Sequence, residues 1–290
     1  MKPTKGKTTG MPKANSVAVA TTYTVTPEER YRMIAEAAYY IAERCGFTGG
    51  DVAADWLAAE AEIDRILQQE ERHEIEQQVQ LACKESPAAI ADRVRAITLQ
   101  ALSGGKLDIE AMKRVVSSVV AGAHQGAERA EHRAQVLKEA MRGLDDALAS
   151  VAEATQLAIQ EAAGRSSEFS GQVLKKTMDD LAALELLFIE TLADAAESAA
   201  GVTQVTLLDL VEHACASGTA VGGQVKLALP EITHAATKTT RKLSRTGTQT
   251  LHKDAALLAS LAAGMLKGIA ERLQSTSADK STLPSSARGS

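Results

Sequence analysis

The stretch 116–162, VSSVVAGAHQGAERAEHRAQVLKEAMRGLDDALASVAEATQLAIQEA, decides the fold class. Alternating steps of four and three pick out Val116, Val120, Ala123, Ala127, Ala130, Ala134, Leu137, Met141, Leu144, Leu148, Val151, Thr155, Ala158 and Ala162, none of them charged. Every Lys, Arg, Asp and Glu of the span falls off that stripe. A seven-residue apolar repeat of this length keeps one seam of an α-helix against a partner and implies a left-handed supercoil. Val120, Leu137, Met141, Leu144, Leu148 and Val151 are its best-filled positions, an interface either within a bundle or between chains. Read without a break, the helix runs from about Asp108 to Ala163 and measures about 84 Å at 1.5 Å per residue.

Composition supports an all-α chain. Only 3% of the 290 residues are aromatic, so bulk for a large mixed core is missing, and Ala, Leu and Val at helical spacing favour slim helix-on-helix packing. The expected form is an elongated, Ala-rich helical bundle with coiled-coil-like helices. The net charge of −5 is unevenly spread: residues 1–13 carry +4 and residues 226–290 carry +6, leaving the middle strongly acidic. Cys45, Cys83 and Cys215 are odd in number and widely spaced, which argues against a disulfide framework and for a reducing cytoplasm. The apolar run at 16–20 is too short for a signal peptide. The run 255–270, interrupted by Lys267, is shorter than the roughly 20 residues a membrane span needs.

Upstream of the seam, residues 1–25 mix Lys, Thr, Gly and Pro without periodicity and read as a disordered tail. Thr26-Pro27-Glu28-Glu29 is a helix start, with Thr as N-cap, Pro at the first position and Glu at the third. Tyr31, Ile34, Ala38 and Ile41 would form the buried face of that helix. Gly46, Gly49 and Gly50 break it, and Asp51 caps a second helix bearing Val52, Trp56, Ile63 and Leu67. The result is an αα-hairpin with Tyr31, Ile34, Ala38, Trp56 and Ile63 as its core, followed by a polar extension through Gln68–Gln80.

The pattern Arg30-x-x-x-Ile34-x-x-x-Ala38-Tyr39, Gly46-x-x-x-Gly50-Asp51 and Asp55-Trp56-Leu57-Ala58-Ala59-Glu60 resembles a short bacterial domain family of unknown function, numbered 2934, over about residues 27–67. The resemblance implies an uncharacterised helical hairpin. Residues about 90–225, with Leu99-Gln100-Ala101-Leu102, Gly143-Leu144-Asp145-Asp146-Ala147-Leu148 and Ala162-Ala163-Gly164-Arg165, resemble a second bacterial helical family of unknown function, numbered 6781. That resemblance implies a helical bundle and carries over no catalytic residue.

Past the hairpin, Ser86-Pro87 restarts a helix, and Gly104-Gly105 ends it before the seam. Gly164 closes the seam helix, and Ser167 caps another with Leu174, Met178, Leu181, Leu184, Phe188, Leu192, Ala195 and Ala199 in register. Gly201 and Gly218 bracket a helix whose apolar face is read as Val205, Leu208, Val211 and Cys215. Gly222-Gly223 and Pro230 then punctuate the chain. The division expected is a tail at 1–25, a hairpin with its extension at 26–86, a bundle at 87–229, a basic helical segment at 230–274 and a Ser-rich tail at 275–290. The last helix, 253–273, sets Ala256, Ser260, Gly264 and Gly268 at steps of four, a spacing that permits close backbone approach.

Chemistry-bearing motifs are sparse. Glu70-x-x-His73 has the spacing of a bundle di-iron site, but it sits in a run of charged and amide side chains that reads as a solvated helix face. Gly104-Gly105-Lys106 lacks the rest of a phosphate loop, and no Ser or Cys has the local context of a nucleophile. The expectation is a protein without enzymatic activity, cofactor or metal. The basic segment, with Lys238, Arg241, Lys242 and Arg245, offers contacts to nucleic-acid phosphates or to an anionic lipid surface, or lies on the chain's own acidic body. The leading expectation is a cytoplasmic interaction or scaffold protein that self-associates through the long seam. The alternatives are a coat of lipid or polymer inclusions, similar in style to phasins, and a nucleoid-associated DNA binder.

Overall fold

The computed structural model describes residues 25–47, 51–104, 108–164, 171–240, 260–264 and 266–267. All of its regular elements are helices: α1 Pro27–Arg44, α2 Val52–Ala82, α3 Pro87–Gly104, α4 Ile109–Glu128, α5 Arg133–Gly164, α6 Gly171–Ala182, α7 Leu184–Ser198, α8 Gly201–Ser217 and α9 Ala220–Thr240. The chain forms two compact units, residues 1–63 and 64–290. The division falls inside α2, so the polar extension of that helix belongs with the bundle and not, as its sequence position suggested, with the hairpin.

In the first unit, α1 starts as its sequence dictates. The Thr26 side chain accepts from the Glu29 amide at 3.2 Å, and the Glu29 carboxylate accepts from the Thr26 amide at 2.9 Å, closing a capping box. Those bonds hold the Glu29 carboxyl below its ordinary value. At the other end the Phe47 amide donates to the Ala42 carbonyl and the Gly46 amide to that of Glu43, a Schellman closure with Gly46 at φ 70°. Asp51 then caps α2 through the Ala53 amide at 3.0 Å. The hairpin core is small: Ile34, Ala59 and Ile63 are buried, and Arg30 pairs with Glu60 at 2.9 Å. Ala38 and Trp56 are half-buried. Tyr31 is not a core residue; it is 63% exposed, its ring leaning on Trp56 at a centroid distance of 5.2 Å.

The second unit is organised round α5, which touches α3, α4, α6, α8 and α9. The uninterrupted 108–163 helix does not form. The chain turns at 129–132, where the Arg129 amide bonds back to Gly126 and that of Ala130 to Ala127, and α5 folds against α4. Nothing local forces this turn, since Ala, Glu and Arg are good helix formers. The seam is thinnest there, all alanine from 123 to 134, so continuing the helix would bury little, whereas folding back covers Val116 and Val120 as well as Leu137, Leu144 and Leu148. Fold choice is settled by tertiary burial against local propensity.

Two other boundaries and one helix face differ from the sequence reading. A one-residue break at Ala183 divides the expected single helix into α6 and α7, while Leu181, Leu184, Phe188 and Leu192 are buried in the predicted register. Gly222, Gly223 and Pro230 do not punctuate the chain but lie inside α9, so the boundary expected at 229–230 falls within a helix. Pro230 is exposed, where its missing amide costs the core nothing directly. Finally, α8 presents Thr203, Thr206, Leu207 and Ala214 inward, leaving Val205, Leu208 and Cys215 exposed. The Thr206 hydroxyl donates to the Val202 carbonyl at 2.8 Å, so it is buried without an orphaned donor. Thr98, Ser118, Ser150 and Thr191 use the same bond to the carbonyl four residues back.

Glycines set the closest helix contacts. A Cβ on Gly122 would sit 2.7 Å from the Glu76 carbonyl oxygen, one on Gly126 would sit 2.7 Å from the Cys83 Cβ, and one on Gly143 would strike the backbone of Ala91. Of the small residues expected to form a seam near the C-terminus, Ala256 and Gly268 lie outside the described residues; Ser260 and Gly264 are exposed and nothing lies within 4 Å of a Cβ added to Gly264, while Ala262 and Leu266 are buried.

Candidate functional site

The six seam residues singled out from the sequence are brought together as one buried cluster. Val120, Leu137, Met141, Leu144, Leu148 and Val151 are all 2% exposed or less, and the chain's own α3, α4, α8 and α9 surround α5. As an interface the stripe is therefore intramolecular, which removes it as the surface on which a second copy could dock. Ala130 and Ala134 beside the turn are only half-buried, and Ala162 lies outside the residues whose side chains are described. Of the basic segment, Arg241, Lys242 and Arg245 lie outside the described residues, as does the side chain of Lys238. Glu70 and His73 are exposed, and His73 shares a 2.7 Å hydrogen bond with Gln77. Among the described residues no group of three or more His, Cys, Asp or Glu is placed to hold a metal ion, and no helix is long and apolar enough to cross a membrane.

A polar junction at the start of α9 was missed by sequence reasoning. Asp145 on α5 accepts from the Ala220 amide at 2.7 Å and the Val221 amide at 2.9 Å, so a residue 75 positions away caps the helix. Thr219 accepts from the Gly222 amide at 2.9 Å and donates to Glu185 of α7 at 3.0 Å. The Glu185 carboxylate presses onto Gly222, in space any side chain there would need. Burial pushes the Asp145 carboxyl above its ordinary value; the two amides pull it down, and Asp146 and Glu185 add to the rise. These residues tie α5, α7 and α9 together, so the junction reads as structural. No local signal marks it, because the helix end and its cap are distant in sequence.

Asp145→Ala should lower stability by about 1 kcal/mol, the usual loss on removing a cap. Because the folded-state pKa of Asp145 is raised, its contribution is fully present below the unfolded-state value and is lost as pH rises through the folded-state value. Asp145→Asn, which keeps one acceptor, should therefore gain on the native protein as pH rises from mild acid to neutral. Urea midpoints at several pH values check this, and midpoints that run parallel would contradict it.

Burial pushes the Cys83 thiol up to about 11, while Cys45 and Cys215 are exposed. Besides Leu81, Leu157, Leu186 and Leu227, the large apolar side chains that the bundle leaves exposed among the described residues lie on the outer side of α8. Val202, Val205 and Leu208 are 54%, 67% and 53% exposed along two turns, next to Asp209, which pairs with Lys138 of α5 at 2.8 Å. Within the hairpin unit Tyr31, Tyr39, Tyr40, Phe47 and Leu57 are exposed, and the Tyr39 ring contacts those of Tyr40 and Phe47.

This arrangement defines an all-α helical bundle preceded by a helical hairpin. The chain belongs to the Family of unknown function (DUF6781), which it matches over residues 65–275, and residues 29–65 match the Protein of unknown function (DUF2934). The larger match reaches further at both ends than the quoted motifs suggested, and it starts two residues from where the compact units divide. No curated protein and no solved structure matches the chain.

Proposed function

We propose that this chain is a non-enzymatic helical interaction protein that self-associates through the outer face of α8. The supporting observation is the row Val202, Val205 and Leu208, three branched apolar side chains exposed on a helix whose other side is packed against α7 and α5. Burying each fully is worth roughly 1.5–3 kcal/mol, and a second copy would present the same row in a two-fold contact. Sedimentation equilibrium of the full chain tests this. The native protein is expected to form a dimer or larger species that Val205→Glu with Leu208→Glu converts to monomer at unchanged helicity. A native protein that stays monomeric up to high concentration would contradict it.

The same exposed apolar residues support a second reading, a phasin-like coat on lipid or polymer inclusions, with the basic 238–245 segment meeting an anionic surface. Co-sedimentation with anionic liposomes, lost in the same double variant, separates it from self-association. A nucleoid-associated role would rest on Lys238, Arg241, Lys242 and Arg245 alone, and a salt-dependent shift of DNA mobility is its test.

A further inference from the structure

Helices α2 and α4 run parallel, touching where Gly122 meets Glu76 and where Gly126 meets Gln80 and Cys83. Gln80 bridges them further, donating to Gln125 at 2.9 Å and accepting from Arg129 at 2.8 Å. The two glycines bring one end of the pair into close contact. Toward the other end is a cleft of about 340 Å³ lined by residues of α2 from Arg65 to Ile75 and of α4 from Glu110 to Ser118. That volume lies within the range of small-molecule sites.

The lining is graded. Ile75 and Val115, both buried, are its apolar residues. Arg65, Arg72, Lys113 and Arg114 supply four positive charges against the carboxylates Glu71 and Glu110. Arg72 is engaged with Glu76 at 2.9 Å and Arg65 bonds to Gln69 at 3.3 Å. Lys113 makes no ion pair and no hydrogen bond among the described residues, Arg114 has only the more distant charge of Glu71, and the Ser117 hydroxyl is likewise without a partner there. Adjacent cations with a free hydroxyl one turn on, beside an apolar floor, suit a ligand with a charged head and a flat uncharged body.

We propose that the cleft between α2 and α4 is a binding site for a phosphorylated small molecule, its phosphates held by Lys113, Arg114 and Ser117 and its apolar part resting on Ile75 and Val115. This binding is independent of the α8 face.

Calorimetric titration of the full chain with adenosine triphosphate at low salt tests the site, with inorganic triphosphate and adenosine as partial ligands. The triphosphate nucleotide is expected to bind, inorganic triphosphate more weakly and adenosine not measurably. Lys113→Gln with Arg114→Gln should weaken binding about tenfold or more at an unchanged melting temperature, since both side chains are exposed and no fold contact is lost. Lys242→Gln with Arg245→Gln, in the basic segment, should leave it intact. Absence of heat with all three probes would overturn the proposal. So would binding that survives the first double variant, or that is lost in the second, because the basic segment would then be the site. Should the first variant melt early, Ser117→Ala offers the same readout with a smaller expected loss.

Discussion

Leu144→Glu is expected to unfold the second unit. Leu144 is fully buried in the cluster round α5, and a carboxylate there would have no partner, an arrangement that costs about 3–5 kcal/mol. A typical domain has about 5–15 kcal/mol of stability, so most or all of the margin would be lost. Arg142, two residues away and exposed, pairs with Glu139 on the same helix. Its charge reversal should cost no more than about 1 kcal/mol. Circular dichroism melts of the two variants beside the native protein give the comparison. Equal melting temperatures for all three would mean that Leu144 is not in a core.

The second large effect is expected at Gly143. A methyl group on this residue would strike the carbonyl oxygen, carbonyl carbon and Cα of Ala91, all backbone atoms, so α3 must move away from α5. Overpacking of this kind costs about 1–3 kcal/mol, and contact with backbone places Gly143→Ala at the upper end. The chemistry of the opposing atoms supplies a control. At Gly126 the nearest atoms are the Cβ and Sγ of Cys83, which a second substitution removes. Cys83→Gly should therefore restore part of what Gly126→Ala loses, whereas Ala91→Gly should restore nothing to Gly143→Ala. Equal rescue in both pairs would show that the α3–α5 crossing is looser than these distances imply. Urea midpoints of the six variants are sufficient to decide.

These two sites illustrate what the sequence made legible. The seam at Leu137, Met141, Leu144, Leu148 and Val151 was readable because its period repeats for many turns and each residue is buried for the same reason. Helix starts at Thr26, Asp51 and Asp108 were readable because a cap and its amides are neighbours in sequence. Gly143 and Gly126 were not, since a glycine that admits another helix looks like any glycine in a helix until the second helix is in place. Gly222 was misread for the same reason: its role is to make room for Glu185.

The turn at 129–132 escaped because Arg129, Ala130 and Glu131 favour helix, and the gain from folding α5 onto α4 opposes them. The inward face of α8 escaped because it carries Thr203 and Thr206, which do not mark an apolar stripe, although a threonine in a helix can satisfy its own hydroxyl on the carbonyl of the preceding turn, as Thr206 does. That second misreading changes the functional argument. With the threonines inside, Val202, Val205 and Leu208 are left outside, and the surface proposed for self-association is α8 rather than the seam. The cleft between α2 and α4 was hidden in a different way: Arg65 and Arg72 of α2 read as part of a solvated helix face until Lys113 and Arg114 of α4 stand opposite.

Hydrogen–deuterium exchange of the full-length protein across a hundredfold range of concentration separates an intramolecular seam from one completed by another chain. If α3, α4, α8 and α9 of the same molecule cover α5, amides in 136–159 should be strongly protected to the same degree at every concentration. Protection of 136–159 that is weak in dilute solution and grows with concentration would contradict this, and would return the seam to the role of an interface between chains.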